Sequence, residues 1–326
     1  MVAESKRYLI IGGAGFIGSH FVNRLISENK NVVVLDNLSS GKYEFISHLE
    51  NEGNFRFIND DVLNWKKHES EIGKIDTIIH LASNADISAA ITDPTLDFFK
   101  GTLLTQFAAE IAREFNVEKF LYASGSGVYG DYGNKILDES SQELKPISPY
   151  GASKLSGEVI LRAYSHMFDF QVICFRFGNV VGANQTHGVG FDFLNKLRSR
   201  PKELQVLGDG TQEKPYIHVS DVVEAVLFAN KVEPGKFEAF NVATTDYLKV
   251  SEIVDMALSA SGIEPSEISI NFQRQDRGWK GDVPIVKLDS SKIRQIGWSN
   301  KLSSKEAMAK ALKSLWENPP VGDLKN

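Results

Sequence analysis

Apolar residues in this chain come in two rhythms that alternate. Residues 7–11 form a short continuous run, and Phe16, Ile17, Phe21, Val22, Leu25 and Ile26 then recur at helical spacing. Further runs at 31–35, 55–58, 75–82, 117–124 and 170–175 read as buried strands. Between them lie a turn-rich loop at 37–41 followed by a polar helix, a long helix over about 94–114, and a helix starting near Tyr150. Parallel strands need crossovers, so strand–helix alternation predicts an α/β fold, a doubly wound parallel sheet with helices on both faces. From about Gly182 the rhythm changes. Short strands at 204–207 and 216–219 mix with helices near 221–231, 251–261 and 303–317, which predicts a smaller mixed α/β C-terminal lobe. The expected division is 1–180 and 181–326, partly interleaved, with a loose tail from Asn318 onward.

Composition changes this picture little. At 326 residues the chain can bury a large core, and 42% hydrophobic with 24% charged residues is ordinary for a globular protein. The net charge of −6 argues against a nucleic-acid or anionic-membrane partner. The single cysteine, Cys174, excludes an intramolecular disulfide and sits in an apolar run, as a buried thiol would. The first strand begins within a few residues of Met1, and no apolar run reaches the roughly 18 residues of a membrane helix. A cytoplasmic location is expected.

Candidate chemistry sits at the strand ends. Gly12, Gly15 and Gly18 fall at a strand-to-helix turn, with Phe16 and Ile17 opening the helix. A dinucleotide pyrophosphate needs such a place, where backbone approaches closely and free N–H groups point at the anion. Asp36 ends the second strand, positioned for a ribose diol; no arginine follows to receive a 2′-phosphate, which favours NAD over NADP. Asp61 and Val62 close the third strand, where an adenine would lie; a merely polar strand terminus is an equal reading. Ser83, Ser124 and Asn179 also fall at carboxyl ends of strands. Tyr150 and Lys154 are four apart on one helix, so they share a face. An isolated match of this kind is usually a packed tyrosine and a surface lysine. Here Ser148-Pro149 starts the helix, and a neighbouring cation would lower the phenol toward a usable base. His187 and His218 have no visible partner and read as structural.

These stretches together resemble the extended short-chain dehydrogenase/reductase family, and within it the nucleotide-sugar 4-epimerases. The resemblance spans nearly the whole chain. It rests on residues 12–20, Asp36 to Gly41, Val128-Tyr129-Gly130, Pro149 to Lys154, Arg176 to Asn179, Tyr216 to Asp221 and Gly278 to Val283. It implies a Rossmann-type sheet and a tightly held NAD. The implied cofactor contacts add Asn37, Ser39, Ser40, Gly41, Leu81, Ala82 and Ser83 to the residues above. Tyr150 would take the proton of the sugar 4-hydroxyl while hydride leaves C4, and the 4-keto sugar would turn over before the hydride returns. Lys154 would hold the nicotinamide ribose. Asn179, Val189, Gln205, Lys214 and Arg277 would meet the nucleotide sugar, and a homodimer through the helices at 94–114 and 150–168 is implied. UDP-glucose and UDP-galactose are the default pair. The alternatives are another nucleotide-sugar enzyme (an N-acetylated or uronic sugar epimerase, an oxidoreductase or a dehydratase) or a weakly active NAD-binding protein.

Two positions depart from the family. A serine or threonine is usual four residues before the tyrosine of Val-Tyr-Gly, and here that residue is Gly125; Ser124 or Ser126 would have to supply the hydroxyl. Phe98 stands where an asparagine is usual near the cofactor. Sugar 4,6-dehydratases place an acid one or two positions after the serine or threonine. Here those positions are Ser126 and Gly127, so plain epimerisation leads.

Overall fold

The computed structural model describes residues 6–140, 143–232 and 235–320; residues 1–5 and 321–326, most of the expected tail, lie outside the described residues. β1 (Arg7–Ile11), β2 (Asn31–Leu35), β3 (Phe55–Ile58), β4 (Thr77–His80) and β5 (Lys119–Gly125) fall where the apolar runs predict them. With the strands Gln171–Phe177 and Phe237–Val242 they make a parallel seven-stranded sheet. Its order is Phe237–Val242, Gln171–Phe177, β5, β4, β1, β2, β3. The order reverses at β1, the hallmark of double winding. Burial of both faces explains the continuous runs: Leu9, Ile10, Val34 and Ile78 are all fully buried.

Two helical expectations change. The polar helix after Gly41 is only a pair of 3₁₀ turns, Tyr43–Phe45 and Ser47–Leu49. The helix expected from about 94 is a 3₁₀ turn Ile87–Ile91, a π-helical turn Phe98–Thr102 and an α-helix Leu103–Glu114. A side chain on Gly101 would collide with the Ser153 hydroxyl, so the wide turn lies where the backbone passes closest to its neighbour.

The chain divides into two compact units. The first holds Met1–Val128, Pro149–Arg176 and Val226–Phe240; the second holds Tyr129–Ser148, Phe177–Ala225 and Asn241–Asn326. The interleaving arises because the chain returns at Phe237 to add an edge strand to the first sheet. The second unit has its own core. Phe193, Leu194, Ile253, Ala257, Met308 and Leu312 pack from the helices Val189–Ser199, Val250–Ser261 and Ser304–Glu317. Among the described residues, no helix is long and apolar enough to cross a membrane. Cys174 is buried in the sheet, and desolvation pushes its thiol well up, as the inert reading requires.

Candidate active site

In the first unit the ends of β1, β2 and β4 are drawn together by backbone bonds. Gly12 N–H donates to the Leu35 carbonyl at 3.0 Å, and the Leu81 and Ala82 amides both donate to the Ile11 carbonyl, at 2.9 and 3.1 Å. Gly12 adopts φ +84, and a Cβ there would stand 2.7 Å from the Ala82 nitrogen, so only glycine fits. A Cβ on Gly18 would collide with the Gly12 carbonyl. The helix Phe16–Ser27 therefore starts hard against the turn. Gly15 gives it no side-chain cap, and its first turn carries no acid. Its open N–H groups and positive dipole end fit a pyrophosphate, so these residues suit a dinucleotide. Phe16 itself is buried, and Ile17 is partly exposed.

Asp36 is buried, and its carboxylate organises the loop that follows. Oδ2 accepts from the Ala14 N–H at 2.9 Å and Oδ1 from the Leu38 N–H at 2.8 Å. The loop closes when Lys42 N–H donates to the Ala14 carbonyl at 2.9 Å. A Cβ on Gly41 would lie 3.0 Å from both Asp36 oxygens. Burial pushes the Asp36 carboxyl above its ordinary value, and the two backbone donors pull it back. Asn37 links this loop to β3, donating to Asp61 Oδ2 at 2.7 Å; Ser39 and Ser40 are exposed, and Val62 is buried.

Tyr150 lies in the first turn of the helix Pro149–Phe168, whose proline needs no N–H partner there. Ser83 hydrogen-bonds its phenol. Lys154, one turn on, is buried; its ammonium donates to the Ala123 carbonyl at 2.8 Å and lies between two rings, 5.3 Å from Tyr122 and 5.6 Å from Tyr150. Here the electrostatic expectation needs correcting. Burial pushes Tyr150 up to about 12, the Asp97 charge adding to it, and Lys154 does not pull it below its ordinary value. Burial likewise brings Lys154 down to about 8. Both shifts share one cause, the loss of water around a charged form.

The two serines part company. Ser124 is buried and donates to Glu158 Oε1 at 2.6 Å, so its hydroxyl is turned into a network below the loop. Ser126 is partly exposed, and its hydroxyl has no protein partner among the described residues. The loop lies directly on the tyrosine, since a Cβ on Gly127 would stand 3.9 Å from Tyr150 Cδ1. A Cβ on Gly125 would meet nothing within 4 Å. Phe98 is more than half exposed and rests edge-on against Phe99.

Sequence reading missed three buried partners in this unit. Glu158 pairs with Arg176 at 2.7 and 3.0 Å besides accepting from Ser124. Its signal was its spacing, four residues beyond Lys154 on the same helical face. Asp97 and Asn84, joined at 3.0 Å, gave no signal, being thirteen residues apart in irregular segments.

In the second unit, Asn179 opens the strand Asn179–Val181 and its side chain bonds the Tyr216 phenol. Val189 packs on the local core, and Gln205 is exposed beside Glu203 at 3.3 Å. Lys214 and Arg277 are not free cations. Lys214 pairs with Asp282 at 2.6 Å, and Arg277 with Asp131 at 2.5 Å and the Asp282 carbonyl at 2.5 Å. Within this unit a cavity of about 590 Å³ is lined by Asp209, Arg274, Gln275, Asp276, Arg277, Trp279 and Lys280. Arg274 and Lys280, whose clustering in one loop was the available signal, are exposed there. His218 Nδ1 hydrogen-bonds the Ser220 hydroxyl at 2.7 Å, whereas His187 is exposed.

Comparison with known proteins agrees with this geometry. Residues 8–243 match the model of the NAD dependent epimerase/dehydratase family. The chain is 30% identical over 318 residues to the UDP-glucose 4-epimerase of Mycolicibacterium smegmatis, covering 94% of this chain and 97% of that protein. It is 28% identical over 322 residues to the human dTDP-D-glucose 4,6-dehydratase, covering 96% and 91%. Among solved structures, the Thermus thermophilus UDP-glucose 4-epimerase in complex with NAD superimposes with a TM-score of 0.83 at 28% identity, covering 96% of this chain and 99% of that one.

Proposed function

Because the chain belongs to the NAD dependent epimerase/dehydratase family, with NAD as its cofactor, we propose that it is a nucleotide-sugar 4-epimerase. UDP-glucose and UDP-galactose are the pair, interconverted through a transient 4-keto sugar. The observation that carries this reading over a dehydratase is the loop against Tyr150. Ser124, Gly125, Ser126 and Gly127 include no carboxyl group, and expelling water needs one.

Gly12, Gly15, Gly18 and the opening turn of Phe16–Ser27 hold the pyrophosphate. Asp36 and the loop 37–41 hold the adenosine ribose, with Asp61 and Val62 at the adenine and Leu81, Ala82 and Ser83 along the cofactor's floor. NAD, when bound, supplies the hydride acceptor and a positive ring that opposes the upward shift of the Tyr150 phenol. Tyr150 Oη takes the 4-hydroxyl proton and returns it after the sugar turns. Lys154 stabilises the phenolate and holds a ribose hydroxyl with the N–H groups that Ala123 leaves free. Ser126, not Ser124, donates to the 4-oxygen. In the second unit, Asn179, Val189 and Gln205 receive the nucleotide, and Arg274 and Lys280 bring the open positive charge that a diphosphate needs, framed by the paired Lys214 and Arg277.

The protein is proposed to act as a homodimer in the cytoplasm. Phe98, Phe99, Val159 and Met167 are apolar side chains more than half exposed on the helical segments that the family resemblance assigns to pairing. Purified protein should retain NAD and convert UDP-galactose with none added, and Tyr150→Phe should lose turnover by roughly a hundredfold to ten-thousandfold. Retained NAD without turnover on any nucleotide sugar would favour the binding-protein reading, which the missing hydroxyl at Gly125 supports.

A further inference from the structure

The buried Lys154 ammonium donates to the Ala123 carbonyl at 2.8 Å and lies over two rings, 5.3 Å from the centroid of Tyr122 and 5.6 Å from that of Tyr150. In the proposed reaction Tyr150 moves a proton, whereas Tyr122 has no step to perform. The Tyr122 ring is nevertheless held by three neighbouring elements. Its phenol bonds Thr105, whose Oγ1 donates in turn to the Gly101 carbonyl of the π-helical turn at 3.0 Å. His80, its cross-strand neighbour on β4, stacks on it at 5.7 Å and shares Thr105 through Nε2 at 3.1 Å. On the helix of Lys154, a Cβ at Gly157 would stand 2.3 Å from the Tyr122 hydroxyl, so glycine there lets the helix close onto the phenol.

An ammonium taken out of water is attracted by the negative face of an aromatic ring, and the attraction grows as water is removed. Burial keeps the Tyr122 phenol and the Cys174 thiol protonated and drives His80 down to about 3, so all three are neutral. Of the charged groups around Lys154, Asp97 attracts the ammonium, and Glu158, one turn further along the helix, is committed to Arg176 and Ser124. We propose that Tyr122 is a positioning residue, its ring the rigid seat that holds the Lys154 ammonium as a cation beside Tyr150. The Ala123 carbonyl, the Tyr150 ring and Asp97 share in stabilising that cation; Tyr122 adds an uncharged surface that keeps its place while protons move. The inference rests on the reading of Tyr150 and Lys154 as the working pair.

The test is the titration of Lys154 by nuclear magnetic resonance in NAD-bound protein labelled in its lysine side chains, with Lys154→Arg assigning the signal. Tyr122→Phe keeps the ring and loses only the Thr105 bond, so the titration should stay where it is. In Tyr122→Leu it should move down by about half to one and a half pH units, and the alkaline fall of turnover should move with it. Ala123, Tyr150, Asp97 and Glu158 are the same in both variants, so the difference between them reports the ring. Tyr122→Phe made with a ring-trifluorinated phenylalanine keeps the shape but withdraws the negative face, and it should shift the titration in the same direction even if the leucine variant fails to fold. A merely structural role would lower stability or turnover without moving the titration. An unmoved or raised titration in the fluorinated protein, or in folded Tyr122→Leu, overturns the proposal. A titration that shifts as expected in protein converting no nucleotide sugar supports the role of Tyr122 and overturns the epimerase reading instead.

Discussion

At the scale of single residues, the chemistry turns on how burial treats two charges of opposite preference. Lys154 has its pKa brought from the ordinary 10.5 to about 8, so the folded protein binds this proton less tightly than the unfolded chain. Folding stability from this group therefore rises as pH climbs from about 8 toward 10.5, and below 8 the full cost of holding the ammonium applies. That cost is on the order of 3 kcal/mol. Lys154→Met should melt higher than the parent at pH 7, with an advantage that shrinks through this window; thermal unfolding at several pH values checks it. Gly125 offers a second test. Open space around its Cβ position means that Gly125→Thr should fold normally. If Ser126 already serves the sugar, turnover should change by less than about tenfold; a gain nearer the roughly hundredfold value of one such donor would show that Ser126 does not serve.

At the scale of elements, the helix Pro149–Phe168 turns three residues at four-residue spacing toward the sheet and its loop, two of which fix it to the strands. Tyr150 lies toward the loop, Lys154 donates to β5, and Glu158 joins Ser124 to Arg176. Glu158 and Arg176 are both buried, so Arg176→Ala strands a carboxylate and should cost about 3–5 kcal/mol by denaturant unfolding. Gly157 meets the fully buried Tyr122 phenol, and Gly157→Ala should lose about 1–3 kcal/mol through overpacking. The same helix explains what the sequence made legible. Spacing along one helix announces which side chains share a face, so the pairing of Tyr150 with Lys154 is legible in the sequence. Continuous runs likewise announced β1, β2, β4 and β5, because strands buried on both sides have no polar alternation to blur them; the edge strand β3 was legible despite its exposed Arg56. Phe237–Val242 was missed: Glu238 and Asn241 interrupt its apolar pattern, and it follows a stretch that reads as another lobe. The pairing of Lys214 with Asp282, 68 positions apart, and of Arg277 with Asp131, 146 apart, was equally hidden, since distance along a chain says nothing of proximity in space.

At the scale of the whole molecule, the exposed apolar side chains Phe98, Phe99, Val159 and Met167 predict association. Light scattering should give twice the mass of one chain, and charging two of them, as in Val159→Glu with Met167→Glu, should halve it.

The late return of Phe237–Val242 to the first sheet bears on how the protein is made. A ribosome delivers residues in order, and this strand emerges only after the rest of the first unit and nearly half of the second. Until then the strand Gln171–Phe177 has one flank open, with unsatisfied amides that invite pairing with another nascent chain. Arrested translation products ending near 180 should therefore be protease-sensitive and prone to aggregate, whereas those extended until residue 242 has cleared the exit tunnel should resist digestion.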